Sequence, residues 1–419
     1  MAKFGCVADD FTGASDAASF LRSVGCQTVL YNEIPESDLT VDADAVVIAL
    51  KSRTAPVQTA VEDSLKAFAW LRRNGMERLY LKYCSTFDST REGNIGPVVD
   101  AMLETLGQRF TILCPSLPVN GRVVKGGLLY VNGVPLHETH MKNHPLTPMW
   151  DADIAVLMAE QGKYPSVKVS AELLAQGKAA VLDYCRTQAG DAPHFYVIPD
   201  YYEDVHAEQI MEIFEELPFL TGGSGLLGAK ALGLSRPAGE APAPAKAAGG
   251  SILLAGSCSA ATLEQIRVYQ QSGGNSLRID PLELLTGQQT PESIWARAKG
   301  LQNVLIYCSD SPENVKKMQQ YGRDTVASLL EQTMAALARL AVKDGITQVI
   351  VAGGETSGAV TKGLGYACYR IGESVAPGVP VMEPVENAAL RMVLKSGNFG
   401  QPDFFQRAME LTTRGSRGM

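Results

Sequence analysis

Two adjacent carboxylates, Asp9 and Asp10, close a short apolar run, Lys3 to Ala8, and precede a stretch of small residues containing Asp16. In open α/β sheets ligands bind beyond the carboxyl ends of the strands. A carboxylate placed there can take a proton from a substrate hydroxyl or hold a metal ion. Helix capping plus a solvated acid is the plainer alternative, and it suits Asp16 better than the pair. A second apolar run ends in Lys82-Tyr83-Cys84-Ser85-Thr86-Phe87-Asp88, followed by Gly93 and Asn94. A cation, hydroxyls and a carboxylate gathered there suit a polyhydroxy acid. Lys51-Ser52-Arg53 ends the run before it and adds cations able to clamp a carboxylate.

Two further loops point to phosphate. Gly256-Ser257-Cys258-Ser259 and Gly353-Gly354-Glu355-Thr356-Ser357-Gly358 each follow an apolar run and open a helical stretch. Glycine lets backbone approach an anion, and the first-turn N–H groups then face it. A third loop, Lys395-Ser396-Gly397-Asn398-Phe399-Gly400, could close over a nucleotide. His137, His140 and His144 cluster before Pro145 without a cysteine or acid to complete a zinc pattern; a substrate-contacting loop is the alternative to plain structure. Gly223 to Gly228 fits G-x-G-x-x-G, but no acidic strand end follows about 20 residues on, so it reads as a packing turn. Neither a Walker A sequence nor protein-kinase signatures occur.

The elements that must position these residues alternate. Strands are expected at Lys3–Ala8, Thr28–Tyr31, Ala45–Leu50, Arg78–Cys84 and Thr111–Cys114, with helices at Gly13–Val24 and Val57–Arg73. Val123 to His137, centred on Asn132-Gly133, reads as a hairpin, and Asp151 as the cap of the next helix. Strands at Ser251–Ala255, Val304–Cys308 and Gln348–Ala352, with a helix at Val326–Lys343, repeat the rhythm. Arg236 to Gly250, rich in Ala, Pro and Gly, reads as a linker between domains at 1–235 and 251–419. The fold class expected is two α/β domains with largely parallel sheets and an active site in the cleft between them.

The chain has 419 residues and a net charge of -8, which argues against a nucleic-acid partner. Its 8 cysteines form no C-x-x-C pair and read as buried thiols in a reducing compartment. MAKFGCVADD lacks the basic start of a signal peptide, and no apolar run nears the roughly 18 residues of a membrane span. The cytoplasm is the expected location, with no membrane partner; homo-oligomerisation is left open.

Taken together, ADDFTGASDAA at 8–18, LKSRT at 50–54, LKYCSTFDST with GNIGPV at 81–98, HPLTPM at 144–149, TGGSGL at 221–226, AGSCS at 255–259, AGGETSGAV at 352–360 and LKSGNFG at 394–400 resemble the four-carbon acid sugar kinase family. The resemblance spans nearly the whole chain. It implies an N-terminal acid-sugar-binding domain, a C-terminal nucleotide-binding domain, and transfer of phosphate from ATP with Mg²⁺ to the terminal hydroxyl of 3-oxo-tetronate, D-threonate or D-erythronate. HPLTPM is most like the 3-oxo-tetronate members. By motif, Asp10 and Asp88 would act on the hydroxyl. Asp9, Arg53, Lys82, Ser85, Asn94 and His144 would meet the acid, and Ser257, Ser259, Gly353, Gly354, Glu355, Thr356 and Gly397 the nucleotide; the metal ligands are unassigned. Two rivals are a nicotinamide-dependent sugar-acid dehydrogenase, resting on Gly223 to Gly228, and a non-catalytic sugar-acid sensor.

Overall fold

The computed structural model describes residues 3–39, 41–144, 147–229, 249–309 and 323–414, apart from the side chains of 323, 324 and 414. The chain divides into two compact units, Met1–Pro237 and Ala238–Met419. Most of the expected linker, 236–248, lies outside the described residues.

In the first unit eight strands form a parallel sheet: β1 (Lys3–Ala8), β2 (Thr28–Asn32), β3 (Ala45–Ala49), β4 (Met76–Lys82), β5 (Phe110–Cys114), and, after three short strands described below, β9 (Ser166–Val169), β10 (Phe195–Pro199) and β11 (Phe219–Gly222). Their order is β2-β3-β1-β4-β11-β5-β10-β9, every pair parallel. Strands of a parallel sheet are covered on both faces, and their sequences are accordingly continuous apolar runs: all five residues of β3 are buried. Register decides where the polar ends fall. Ala8 pairs with Ala49 on one side and with Lys82 on the other. The residues that follow β1 and β3 therefore emerge beside the end of β4.

The expected hairpin is a three-stranded antiparallel sheet: β6 (Arg122–Lys125), β7 (Leu128–Val131) and β8 (Val134–Pro135). Asn132-Gly133 does turn with both φ angles positive, 52° and 80°, but it joins β7 to β8. A second turn, Gly126-Gly127, makes the β6–β7 hairpin with φ of 62° and 79°. The cap assigned to Asp151 belongs to Asp153, whose carboxylate accepts from the Ala155 N–H at the start of helix Ile154–Ala159. Asp151 instead accepts from the N–H groups of Ala152 and Asp153 one turn earlier.

The second unit contains β12 (Ser251–Ala255), β13 (Ser276–Arg278), β14 (Val304–Tyr307), β15 (Gln348–Ala352), β16 (Cys368–Ala376), β17 (Val379–Pro384) and β18 (Arg391–Lys395). Their order is β13-β14-β12-β15-β18-β17-β16. The first five are parallel, and β17 runs antiparallel to β18 and β16, an extension the α/β rhythm gave no sign of. Here too three adjacent strands end together: Ala255 pairs with Ala352, and Ala352 with Lys395. No described helix is long and apolar enough to cross a membrane. Of the cysteines, Cys258 is exposed and Cys84 and Cys308 half-buried, which corrects the expectation that all are buried; all eight are free thiols.

Candidate active site

At the ends of β1, β3 and β4 the charges lock together. Arg53 donates from Nε and Nη2 to the two Asp9 oxygens, each at 2.8 Å, and its Nη1 lies 3.0 Å from Asp10 Oδ2. This fork geometry needs a planar guanidinium. Burial works against the Arg53 charge, but Asp9 and Asp10 outweigh it and hold its pKa well above the ordinary value. Three of its five N–H groups are thus directed at protein carboxylates, leaving two for a ligand. Asp10 caps the helix Phe11–Ser23, accepting from the Gly13 N–H at 2.6 Å. The capping role weighed for the acidic pair is therefore real, and it coexists with the Arg53 contact.

Lys82 is buried, 3% exposed. It donates to the Tyr83 carbonyl at 3.0 Å and lies 3.9 Å from Asp16 Oδ2. Asp16 also accepts from the Ser224 hydroxyl, while its Oδ1 is buried with no hydrogen-bond partner. Burial raises the Asp16 carboxyl above the usual range against the pull of Lys82 and Ser224. Lys82 lines neither of the two clefts below; its Nζ would lie 3.2 Å from a Cβ on Gly13, beside the first turn of the helix that Asp10 caps.

One small cavity is lined by Asp9, Ser52, Arg53, Asp88, Ser89 and Asn94, among others. Beside it a cleft of about 450 Å³ is lined by Arg53, Thr54, Ser89, Thr90, Gly93, Asn94 and Thr147, among others. Asp88 accepts from the Thr86 hydroxyl at 2.6 Å. The Asn94 amide donates to the carbonyls of Ser52 and Ala55 at 2.6 and 2.8 Å, so it fixes the Arg53 loop, and its Oδ1 is buried without a partner. Ser85 is half-buried on the same loop. His144 reaches the cleft through Thr147, whose N–H and hydroxyl lie 3.0 and 2.8 Å from its Nδ1. Gln161, which the sequence did not single out, accepts from the Ser89 hydroxyl at 2.7 Å and the Gly96 N–H at 3.0 Å and so pins the loop.

The glycines of the 223–228 turn face protein. A Cβ at Gly225 would collide with the Ser116 carbonyl, and one at Gly223 would lie 2.5 Å from the Pro115 carbonyl. Residues Gly225–Gly228 form a short 3-10 helix, and Ser224 supports Asp16. That is the packing turn expected, and it removes the footing of the dehydrogenase alternative.

In the second unit the loops after β12, β15 and β18 converge. Ser259 caps helix Ala260–Gln271, its side chain accepting from the Thr262 N–H, and its hydroxyl donates to the Gly397 carbonyl at 2.7 Å. A Cβ at Gly397 would collide with the Ser257 hydroxyl, and one at Gly353 would lie 3.0 Å from Thr356 Oγ1. Gly353, at φ 134°, gives helix Gly354–Leu364 no side-chain cap. First-turn N–H groups have no partner within a helix, so that end stands ready for an anion. Gly354 differs from its neighbours in the loop: a Cβ there would meet open space, and Glu355 beside it is exposed. Beneath the loops lies Lys395, which the sequence marks as the first residue of the third loop without giving it a role of its own. It ends an apolar strand as Lys82 does, and that was the available signal. No group of three His, Cys, Asp or Glu among the described residues could hold a metal ion.

Residues 4–230 match the profile of a sugar-binding N-terminal domain, and residues 252–405 that of a nucleotide-binding C-terminal domain. A curated 3-oxo-tetronate kinase of Brucella melitensis is 40% identical over 98% of this chain and 96% of that protein. The chain belongs to the four-carbon acid sugar kinase family. Other curated 3-oxo-tetronate kinases agree, such as that of Pseudomonas fluorescens, 43% identical over 97% of this chain and 96% of that protein. A solved Haemophilus influenzae structure superposes with a TM-score of 0.82 at 39% identity, covering 97% of this chain and 100% of that one. One from Salmonella typhimurium LT2 gives 0.88 at 38% identity over 97% and 99%; it was solved under a provisional tRNA synthase name that the kinase relatives do not share. As a member of the acid sugar kinase family, this protein is a phosphotransferase with a hydroxyl acceptor.

Proposed function

We propose that this acid sugar kinase moves the γ-phosphate of ATP to the terminal hydroxyl of 3-oxo-tetronate, with D-threonate and D-erythronate as the alternative acceptors. The observation that carries the reading is a division of chemistry. One unit brings the Arg53 guanidinium, locked to Asp9 and Asp10, and several hydroxyls to a cleft of about 450 Å³. The other gathers three loops and an uncapped helix N-terminus. The curated relatives named for 3-oxo-tetronate support the choice of acid.

The two undirected N–H groups of Arg53, with the hydroxyls of Ser89, Thr90 and Thr147, bind the acid in the cleft. Lys82, held by Asp16, stands beside the first turn of the helix that Asp10 caps. Asp10 stands as acceptor for the hydroxyl proton, with Asp88 the next candidate; Asp10 is the more exposed of the first pair, 33% against 11% for the Asp9 side chain. In the second unit the first turn of helix Gly354–Leu364, with Ser257, Ser259 and Gly397 around it, binds phosphate. Phosphoryl transfer requires little beyond positioning and charge neutralisation. Mg²⁺ characteristically binds through substrate phosphates plus one or two carboxylates. The ion would enter with the nucleotide and neutralise charge on its phosphates.

A coupled assay of ADP release with Mg-ATP tests this against a panel of 3-oxo-tetronate, threonate, erythronate, a neutral tetritol and a hexonate. Release with a four-carbon acid alone is expected. Equal release with the tetritol would remove the acid clamp from the account, and binding of acids without any ADP release would favour a sensor.

A further inference from the structure

Lys395 is the last residue of β18 and has no measurable exposure. Its Nζ donates to Thr262 Oγ1 at 2.9 Å, the Ser396 carbonyl at 3.2 Å and the Gly397 carbonyl at 2.9 Å. Three acceptors match the three hydrogens of an ammonium group, not the two of an amine. The Gly397 carbonyl is in turn shared with the hydroxyls of Ser259 and Thr262, at 2.7 and 2.9 Å. The lysine therefore ties the last loop of the cradle to the first turn of the helix that Ser259 caps.

What it lacks, among the described residues, is a counter-charge. Buried ions are ordinarily paired, and Lys82, in the equivalent place in the first unit, has Asp16. Around Lys395, Cys258 and Glu355 stand on the neighbouring loops and Lys362 further along helix Gly354–Leu364. Glu264 and Arg267 pair with each other on the capped helix. Glu383 pairs with Arg391 across β17 and β18. Asp403, Arg407 and Glu410 belong to the C-terminal segment, where the face of Phe404 lies 5.6 Å from Nζ. Burial is the one influence of weight on the lysine, and it draws its pKa down to about 7.

Resting on the reading of these loops as the nucleotide cradle, we propose that Lys395 is the buried counter-cation of the nucleotide phosphates, and that nucleotide binding is coupled to its protonation. With the cradle empty, burial without a counter-charge among the described residues favours loss of the proton, even though the neutral amine can then donate to only two of the three acceptors. When the phosphate anion arrives, the lysine takes one proton from solvent and becomes an ammonium ion. The third donor of that ion then closes the hydrogen-bond set that fixes Ser396 and Gly397. Lys395 acts here as a positioning residue, one backbone layer away from the ligand.

Calorimetry of Mg-ADP binding to the whole enzyme, repeated in buffers of different ionisation enthalpy, reads the proton directly. At pH 8 the apparent enthalpy should vary with the buffer, with a slope of about one proton taken up per ADP, and the slope should fall toward zero at pH 6. Lys395→Arg, whose charge is permanent, should bind ADP with a slope near zero at both pH values. ADP binding by the wild type with buffer-independent heat at pH 8 would overturn this inference alone, as would an unchanged slope in the arginine variant. Failure to bind ADP in any buffer would overturn the nucleotide reading with it. Should the arginine variant not fold, the wild-type slope and its pH dependence still decide.

Discussion

Arg53 does two jobs with one planar group, and substitutions there separate them. Its fork neutralises Asp9 and Asp10 and keeps two N–H groups for the acid. Arg53→Lys retains the charge but not the fork. Losing a charge-assisted hydrogen bond costs about 1.5–3 kcal/mol, so KM for the acid should rise roughly ten- to a hundredfold while ADP affinity by calorimetry stays as it was. A KM within twofold of wild type would place the carboxylate elsewhere in the cleft. Asp10→Asn is the sharper probe of chemistry, because the amide oxygen can still accept from Gly13 and preserve the cap. If Asp10 takes the hydroxyl proton, kcat should drop on the order of 100- to 10,000-fold. Near-normal turnover in that variant would move the role to Asp88. The sequence displayed these charged residues but not their partners. That Lys82 turns down toward Asp16, and that the Asn94 amide is spent on the Ser52 and Ala55 carbonyls, follows from how the loops pack, which no local pattern encodes.

Among the elements, the buried parallel strands were the most legible. A strand covered on both faces must be apolar throughout, so β1, β3, β12 and β15 stand out as runs ended by polar residues. The antiparallel β16–β18 extension and the Gly126-Gly127 turn were not legible, since glycine pairs also mark ordinary loops. The nucleotide loops allow a clean separation of fold from binding. Gly354→Val places its side chain in open space, whereas Gly397→Ala drives a Cβ into the Ser257 hydroxyl. The valine variant should therefore melt close to the wild type yet lose nucleotide affinity, measured by calorimetry; the alanine variant should lose both. Unchanged ADP affinity in Gly354→Val would deny that helix end to the phosphates. Lys395 gives a pH signature as well. Its folded pKa of about 7 lies below its ordinary value of 10.5. Between those values the unfolded chain binds the extra proton, so this group's contribution to stability rises with pH. Any melting-temperature advantage of Lys395→Met over the wild type should shrink, or its deficit grow, from pH 7 to pH 9. Parallel curves for the two proteins would contradict the depressed pKa.

Across the whole molecule, two α/β units repeat one device. Three neighbouring parallel strands end in register, and the third ends in a lysine: β3-β1-β4 with Lys82, β12-β15-β18 with Lys395. The first lysine has a carboxylate partner and the second has none among the described residues, the difference expected if one unit receives a sugar acid and the other brings a polyanion to its own cation. Phosphoryl transfer to the terminal carbon of a four-carbon acid leaves its mark in the spectrum of the product. Wild-type enzyme, Mg-ATP and the favoured acid are incubated together, and the product is read by phosphorus NMR with proton coupling. A new phosphomonoester resonance split by the two protons of a terminal CH₂ is expected, in amount equal to the ADP formed. An ester coupled to a single methine proton, or an acyl phosphate on the carboxyl group with no proton coupling, would contradict it.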